Sequence, residues 1–388
     1  MSAPVVWLAG SATARKRAAS LIAALDGRAQ TLTLGPAGGL EPDLVLGPQP
    51  DLALALEACP LELRPGALLV LEPDTPPDGV QGLPCPTLAW GAECATCDAV
   101  APAEPAEAAQ AMVQAAQEGR SWPWLERVNV NLPLRDLLGR YAPLASSLAV
   151  NPEVGMDHQA LDSLGEEDLA QAKQVLTGRR VSVHMPFMDL SPGSPDPAVA
   201  GLSVQRLQKA AGWALELGAI RAVVHLGYSP DTHRDLGEFC RRLAKGFAPL
   251  AERLHQGGCR MVIENTFEPG PEVLLAAREA IIQAKGPEVG FCLDVGHACC
   301  FSTTSLPDWW LALAPYLGEM HLHDNDGTFD HHHPPGCGMV DWAFVGRALA
   351  SLQTPPLLTI EPHFESNLWA FLRGLEKVLG APSSYPNG

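Results

Sequence analysis

The sequence predicts an α/β chain in two parts: a small α/β domain with a parallel sheet over residues 1–120, then a (β/α)8 TIM barrel over residues 121–388. Three observations carry this. Eight short apolar runs recur from residue 128 onward, most of them separated by amphipathic helical stretches, which is the count and length of such a barrel. Ahead of them, apolar runs alternate with helical segments on a smaller scale. An imidazole or carboxylate stands at the carboxyl end of six of the eight later runs.

In the first part, PVVWLAG reads as a short strand and SATARKRAASLIAALDG as a helix that starts at Ser11 or Thr13 and stops at Gly27. QTLTLG, PDLVLG, a helical DLALALEAC, GALLVLEP and PTLAWG follow. The alternation resembles a flavodoxin-like or receiver-like domain. The turn at Gly10 is neither GxGxxG nor a P-loop, so no nucleotide site is expected, and no full acidic phosphorylation pocket is present. Cys94 and Cys97 form a lone CxxC, read as packing rather than redox or metal chemistry. APAEPAEAAQAMVQAAQEG is a linker passing into an Ala-rich helix, which puts the boundary near Gly119–Trp122.

The expected barrel strands are VNVNL at 128–132, LAV at 148–150, VSVHM at 181–185, AVVHL at 222–226, MVIEN at 261–265, GFCLD at 290–294, EMHLH at 319–323 and LLTIE at 357–361. Between two of them, Leu207, Ala210, Ala211, Ala214 and Leu215 share one helix face. His184, His225, Glu264, Asp294, His321 and Glu361 sit at strand ends, and in a barrel those ends converge on one face. Leaving six such groups buried and unpaired would cost about 1–3 kcal/mol each, so they read as one site.

Composition narrows the partners. Only 18% of the 388 residues are charged, the formal net charge is −18, and six of the 26 basic residues are lysine. A phosphate backbone calls for clustered Lys and Arg, so a small-molecule substrate is expected and nucleic acid is not. No signal-like N-terminus or membrane-length apolar run is seen, and most of the ten cysteines lie in apolar runs, so a soluble, cytoplasmic protein is expected. The sequence assigns no oligomeric state.

The inner residues Glu264, Asp294, His321 and Glu361 can hold a divalent cation and leave positions open for substrate or water. The outer residues His184, His225, His297, Asp330 and His332 can hold further ions, bind substrate or orient the inner donors. Oxygen and nitrogen donors without thiolate suit Zn, Mn, Fe or Co. Phe187, Tyr228, Phe267, Trp309 and Trp342 lie near the expected loops as candidate stacking partners, and Glu153 and Asp189 as substrate contacts. His323, His331, His333 and His363 are read as loop residues or supports. No lysine ends a strand, which disfavours Schiff-base chemistry.

Motif by motif, the barrel resembles the xylose-isomerase-like TIM-barrel superfamily, which joins sugar isomerases and epimerases to AP endonuclease family 2. The endonuclease IV branch has an H-x-[PS]-[FY] segment, matched by His184, Pro186 and Phe187, and an H-x-G strand end, matched by His225 and Gly227. E-N-T is matched by Glu264, Asn265 and Thr266, D-x-x-H-A by Asp294, His297 and Ala298, and H-L-x-D by His321, Leu322 and Asp324. D-x-H-x-x-P-G-x-G is matched by Asp330, His332, Pro335, Gly336 and Gly338, and a final strand-end Glu by Glu361. The resemblance implies up to three metal ions, zinc first with Mn, Fe, Co or Mg as alternatives, held by all nine inner and outer residues. It implies a phosphodiesterase-type hydrolase with Glu264, Glu361 and His297 catalytic, and, given the charge, a small-molecule phosphoester such as a cobamide-type substrate. The alternatives are a sugar or sugar-phosphate isomerase/epimerase, which needs only the inner four, and a non-catalytic binding module.

Overall fold

A computed structural model of the chain describes residues 124–139, 141, 150–362 and 367–380, together with six strands of the N-terminal region. Two compact units divide the chain: residues 1–123 with 363–373, and residues 124–362 with 374–388.

The first unit contains β1 (Val5–Leu8), β2 (Gln30–Thr33), β3 (Leu44–Gly47), β4 (Leu68–Leu71), β5 (Thr87–Trp90) and β6 (Ala99–Ala101). They form one parallel sheet in the order β2-β1-β3-β4-β5-β6. The first five coincide with the apolar runs of the sequence. β6 falls where the linker was expected to begin. The helix expected to end at Gly27, the DLALALEAC helix and the Cys94–Cys97 pair lie outside the described residues.

The second unit is a closed barrel of parallel strands: β7 (Asn129–Pro133), β8 (Asn151–Gly155), β9 (Ser182–His184), β10 (Arg221–Val224), β11 (Arg260–Glu264), β12 (Gly290–Asp294), β13 (Leu317–Leu322) and β14 (Leu357–Ile360). β14 closes the ring on β7. Seven strands overlap the expected runs. The second does not: the strand is Asn151–Gly155 rather than residues 148–150. Its NPEVG sequence reads as a turn, because Pro donates no ladder hydrogen bond and Gly weakens a strand. Pro152 nevertheless pairs in register with Val130, and its carbonyl accepts from Asn129 Nδ2 at 3.2 Å.

Helices cover the outside. α1 (Leu134–Leu137), α2 (His158–Ser163) and α3 (Glu166–Val175) precede the long α4 (Pro197–Glu216) and α5 (Leu236–Gln256). Asp196 caps α4 by accepting from Ala198 N at 2.8 Å, Pro197 occupies its first turn, and of the face the periodicity predicts Leu207, Ala210, Ala211 and Ala214 are buried and Leu215 is half-buried. α6 (Glu272–Gln283), α7 (Val295–Cys300), α8 (Leu306–Leu313), α9 (Trp342–Ala350) and α10 (Asn367–Leu379) complete the unit's order, α10 running across the division between units. Among the described residues no helix is long and apolar enough to cross a membrane.

Inside the barrel, Val223, Val262 and Cys292 form an apolar layer. A polar layer accompanies it. Asn129 donates to Ser182 Oγ at 2.9 Å, and both Ser182 and Thr359 donate to Glu319 Oε1, at 3.1 and 2.6 Å. Burial, reinforced by nearby Glu153, pushes the Glu319 carboxyl up to about 8. Strand register then sets the site: Asp294 pairs with His321, and His321 with Thr359.

Candidate metal centre

Glu264, the last residue of β11 and 1% exposed, is the hub of the carboxyl-end face. Its Oε2 lies 3.1 Å from His184 Nε2 and 2.8 Å from His225 Nε2. Its Oε1 lies 3.2 Å from His321 Nδ1 and 3.3 Å from His297 Nδ1. One buried carboxylate thus meets four imidazoles carried on three strand ends and α7.

The D-x-x-H spacing has a local cause. Asp294 ends β12 and caps α7, its Oδ1 accepting from His297 N at 2.7 Å, so the cap fixes where His297 leaves the helix. Asn265 braces the pair reciprocally. Its Nδ2 donates to Asp294 O at 2.9 Å, its Oδ1 accepts from Asp294 N at 2.8 Å, and its carbonyl lies 2.9 Å from His297 Nδ1. Asp294 Oδ2 is left to meet His323 Nε2 at 2.9 Å.

His321 Nδ1 stands between three acids: Glu264 at 3.2 Å, Glu361 at 3.5 Å and Asp294 at 3.7 Å. Its Nε2 lies 3.1 Å from Glu153 Oε2. Asn131 donates to Glu153 at 2.7 Å and to Glu361 at 3.3 Å.

The loop after β13 is held by Asp324. Its two carboxylate oxygens accept from Asn325 N, Gly336 N, Gly338 N, Val340 N and Trp342 Nε1, at 2.7–3.1 Å. Asp324 and His333 also exchange both backbone hydrogen bonds, at 2.8 and 2.7 Å. At Gly338 a Cβ would meet the Asn325 carbonyl, so only glycine lets the loop return this closely. The loop presents Asp330 and His332. Asp330 Oδ2 lies 3.0 Å from His332 Nε2 and 3.3 Å from His297 Nε2, while His332 Nδ1 donates to Glu361 O at 2.8 Å.

All nine residues expected as ligands therefore occur in clusters whose donor atoms lie within 4.8 Å of one another. Two others join them. Glu153 groups with His321 and Glu361, and His323 groups with His297, Asp330 and His332. His323, read as a loop residue or support, directly follows β13, is fully buried like Glu319 and His321, and meets Asp294 as a supporting residue would. Trp309 and Trp342 are corrected as stacking candidates, being 0% and 5% exposed with indole N–H groups donated to Ser302 and Asp324. Phe187 does face the site, 4.4 Å from the His225 ring and 44% exposed, and Phe267 is 63% exposed against Phe301. Tyr228 packs on His233 and Phe239, Asp189 is exposed with φ 57°, and His331 stacks on His333. His363 lies outside the described residues.

Residues 150–376, more than half of the chain, match the family described as a xylose isomerase-like TIM barrel. The chain belongs to this family. It is 27% identical over 192 residues to the uncharacterized protein MJ1311 of Methanocaldococcus jannaschii, covering 47% of this chain and 64% of that one. It is 32% identical over 165 residues to a "Probable endonuclease 4" of Symbiobacterium thermophilum, covering 38% and 56%. The chain thus spans less than two thirds of either relative. The TTHB071 protein from Thermus thermophilus, solved with ZnCl2 soaking, superposes with a TM-score of 0.53 at 30% identity, over 67% of this chain and all of that one. A D-psicose 3-epimerase shares the fold at 15% identity and a TM-score of 0.52, over 65% of this chain and all of that one.

The donor set of this xylose isomerase-like barrel fits cations. Buried polar atoms normally find partners, yet His323 Nδ1 and Asp330 Oδ1 have no hydrogen-bond partner among the described residues and lie 3.6 Å apart. Electrostatics agree. Burial opposes the charge on Glu264, but His321 and His225 outweigh it and hold the carboxyl well below the usual range. Burial likewise opposes the proton on His297 and His321, and the surrounding acids hold both imidazoles well above their usual range. The two imidazoles sharing Glu264 Oε2 diverge: His184 is raised to about 9 against its burial by Glu264, and His225 is lowered by burial. Protons balance charge that metal ions would otherwise balance.

Proposed function

We propose that the chain is a divalent-metal-dependent hydrolase, most simply a zinc phosphodiesterase, acting on a small-molecule phosphoester. The observation that carries this reading is the position of Asp330 and His332, which meet His297 beside the inner acids. An isomerase working through one ion needs only Glu264, Asp294, His321 and Glu361, and has no use for this extra group. The relative named as an endonuclease and the ZnCl2-soaked relative support the same direction.

His184, His225 and Glu264 would hold one ion, Glu264, Asp294, His321 and Glu361 a second, and His297, Asp330 and His332 a third. Bound there, such ions polarise a phosphoryl oxygen and lower the pKa of bound water. Glu264 and Glu361 would orient that water and take its proton, and His297 would lie against the ester. The net charge of −18 disfavours a long polyanion and supports a small substrate. Phe187 and Phe267 would supply apolar contact at the mouth.

A second reading is a sugar or sugar-phosphate epimerase, favoured by one feature: Glu264 and Glu361 approach His321 Nδ1 at 3.2 and 3.5 Å, placing two candidate bases about one point. One experiment separates the two. Metal-reconstituted protein is assayed with bis(p-nitrophenyl) phosphate and with ketohexoses in D2O. Nitrophenolate release that is lost in Glu264→Gln supports the hydrolase. Deuterium incorporation next to the sugar carbonyl without diester cleavage overturns it in favour of the epimerase.

A further inference from the structure

We propose that the end of the barrel opposite the metal centre holds an oxyanion site: Arg221 and Arg260, at the starts of neighbouring strands, bind one tetrahedral dianion of the size of inorganic phosphate or sulfate. The site does not depend on the metal reading.

Strand alternation places the pair. Val223, Val262 and Cys292 form the apolar layer inside the barrel, and the residues two before them on β10, β11 and β12 are Arg221, Arg260 and Gly290. Side chains two apart share a face, so Arg221 and Arg260 turn inward below that layer. The two arginines are partners in the parallel ladder. Glu264 lies four residues further along β11, about 13 Å away at about 3.3 Å per residue, at the other mouth. Two glycines make room for the guanidiniums: a Cβ at Gly290 would lie 3.2 Å from Arg260 Cζ and Nε, and one at Gly318 would lie 3.6 Å from Arg221 Nε.

Like charges side by side on one sheet face repel. Among the described residues neither Arg221 nor Arg260 forms an ion pair with an acid. Arg221 donates through Nη1 to the Ile220 carbonyl at 2.9 Å, but its Nε is buried without a hydrogen-bond partner. The third guanidinium at this end, Arg278 of α6, is already matched: it donates to Val289 O at 3.2 Å, pairs with Glu288 at 3.3 Å and lies 3.9 Å over the Tyr316 ring. Burial, with Arg221 and Arg278 nearby, pushes the Arg260 guanidinium below its usual pKa although Glu288 opposes the shift.

A dianion answers the charge of both arginines, which a single carboxylate does not. Guanidinium N–H groups form a planar fork that suits the oxygens of phosphate-type ions, and the Arg221 Nε and the Arg260 fork supply such donors. The net charge of −18 disfavours a long polyanion at this end too, so the ion is small. Bound at the face of the barrel where strands begin, it would serve stability rather than catalysis.

The test uses the metal-loaded full chain, with sodium sulfate as the probe and sodium chloride at equal ionic strength as the control. Isothermal titration calorimetry measures binding, and thermal unfolding measures its effect on Tm. In wild type sulfate should bind and raise Tm above the chloride control. Arg260→Gln should weaken binding on the order of 10-fold and remove most of that rise, whereas Glu264→Gln, altered at the metal centre, should keep both. If Arg260→Gln does not fold, Arg221→Gln carries the same expectation. Absence of sulfate binding in wild type would overturn the site. An equal rise of Tm in all three chains would be a general salt effect and would overturn it as well. Binding kept in Arg260→Gln and lost in Glu264→Gln would put the sulfate on the metal ions, overturning the site while leaving the metal reading intact.

Discussion

Glu153 Oε2 lies 3.1 Å from His321 Nε2, with both side chains fully buried. The contact makes Glu153 a positioning residue: it holds a hydrogen on Nε2, so that with a cation bound Nδ1 would be the donor facing it among Glu264, Glu361 and Asp294. Glu153→Gln cannot satisfy both neighbours. Its NH2 must face either Asn131 Nδ2, another donor, or His321 Nε2, which reverses the tautomer. The variant should lose about 10–100-fold in metal affinity at the inner acids, with a matching fall in kcat/KM. Chelator competition checks this. An unchanged affinity would show that His321 is oriented by other contacts.

Asp324 stabilises the loop carrying Asp330 and His332 without touching either side chain. Its two oxygens serve five N–H donors. In Asp324→Asn one oxygen becomes an NH2, leaving at least two buried donors unmatched at about 1–3 kcal/mol each. A fall in Tm on the order of 10 °C is expected for a barrel of this size, with loss of the ion nearest Asp330. Thermal unfolding followed by circular dichroism, together with metal analysis, measures both. A variant that melts with wild type would remove Asp324 from this role.

The site was legible where chemistry coincided with simple strand patterns. Glu264 and Asp294 each end an unbroken apolar run, so a barrel alone brings them together. Glu153 was read only as a substrate contact, because Pro152 and Gly155 hide its strand, although backbone pairing tolerates both. His323 was accessible to alternation with His321, but the Pro/Gly-rich segment behind it argued for a loop. Burial there comes from Gly296 packing beneath the ring, a contact between distant residues that no local pattern reports. The same holds for Trp342: it looks like a loop aromatic, yet its indole turns inward to Asp324.

Gly296 gives a prediction whose sign decides between two effects. Within a helix Ala is favoured over Gly by about 1 kcal/mol, so Gly296→Ala in α7 should stabilise if nothing lay above it. A Cβ there would instead meet the His323 imidazole. Displacing that ring breaks its contact with Asp294 and withdraws Nδ1 from Asp330. Gly296→Ala should therefore lower Tm. A raised Tm in thermal unfolding would mean that the ring has room to move.

His233 provides a pH dependence away from the metal cluster. Its ring is 4% exposed, packs 4.5 Å from Phe239, and accepts from Ser229 N at 3.0 Å through Nδ1. Burial, with Arg242 nearby, lowers its pKa. A histidine that resists protonation when folded takes up its proton on unfolding. Its contribution to stability is complete above about pH 6.5 and is lost as pH falls toward the folded-state value. His233→Asn keeps an acceptor for Ser229 but does not titrate. At pH 8 it should be less stable by about 1–3 kcal/mol, from lost packing. Because only wild type loses stability on protonation, the difference should narrow between pH 7 and pH 5 in denaturant titrations. A constant difference across that range would show that His233 titrates alike in the folded and unfolded chain.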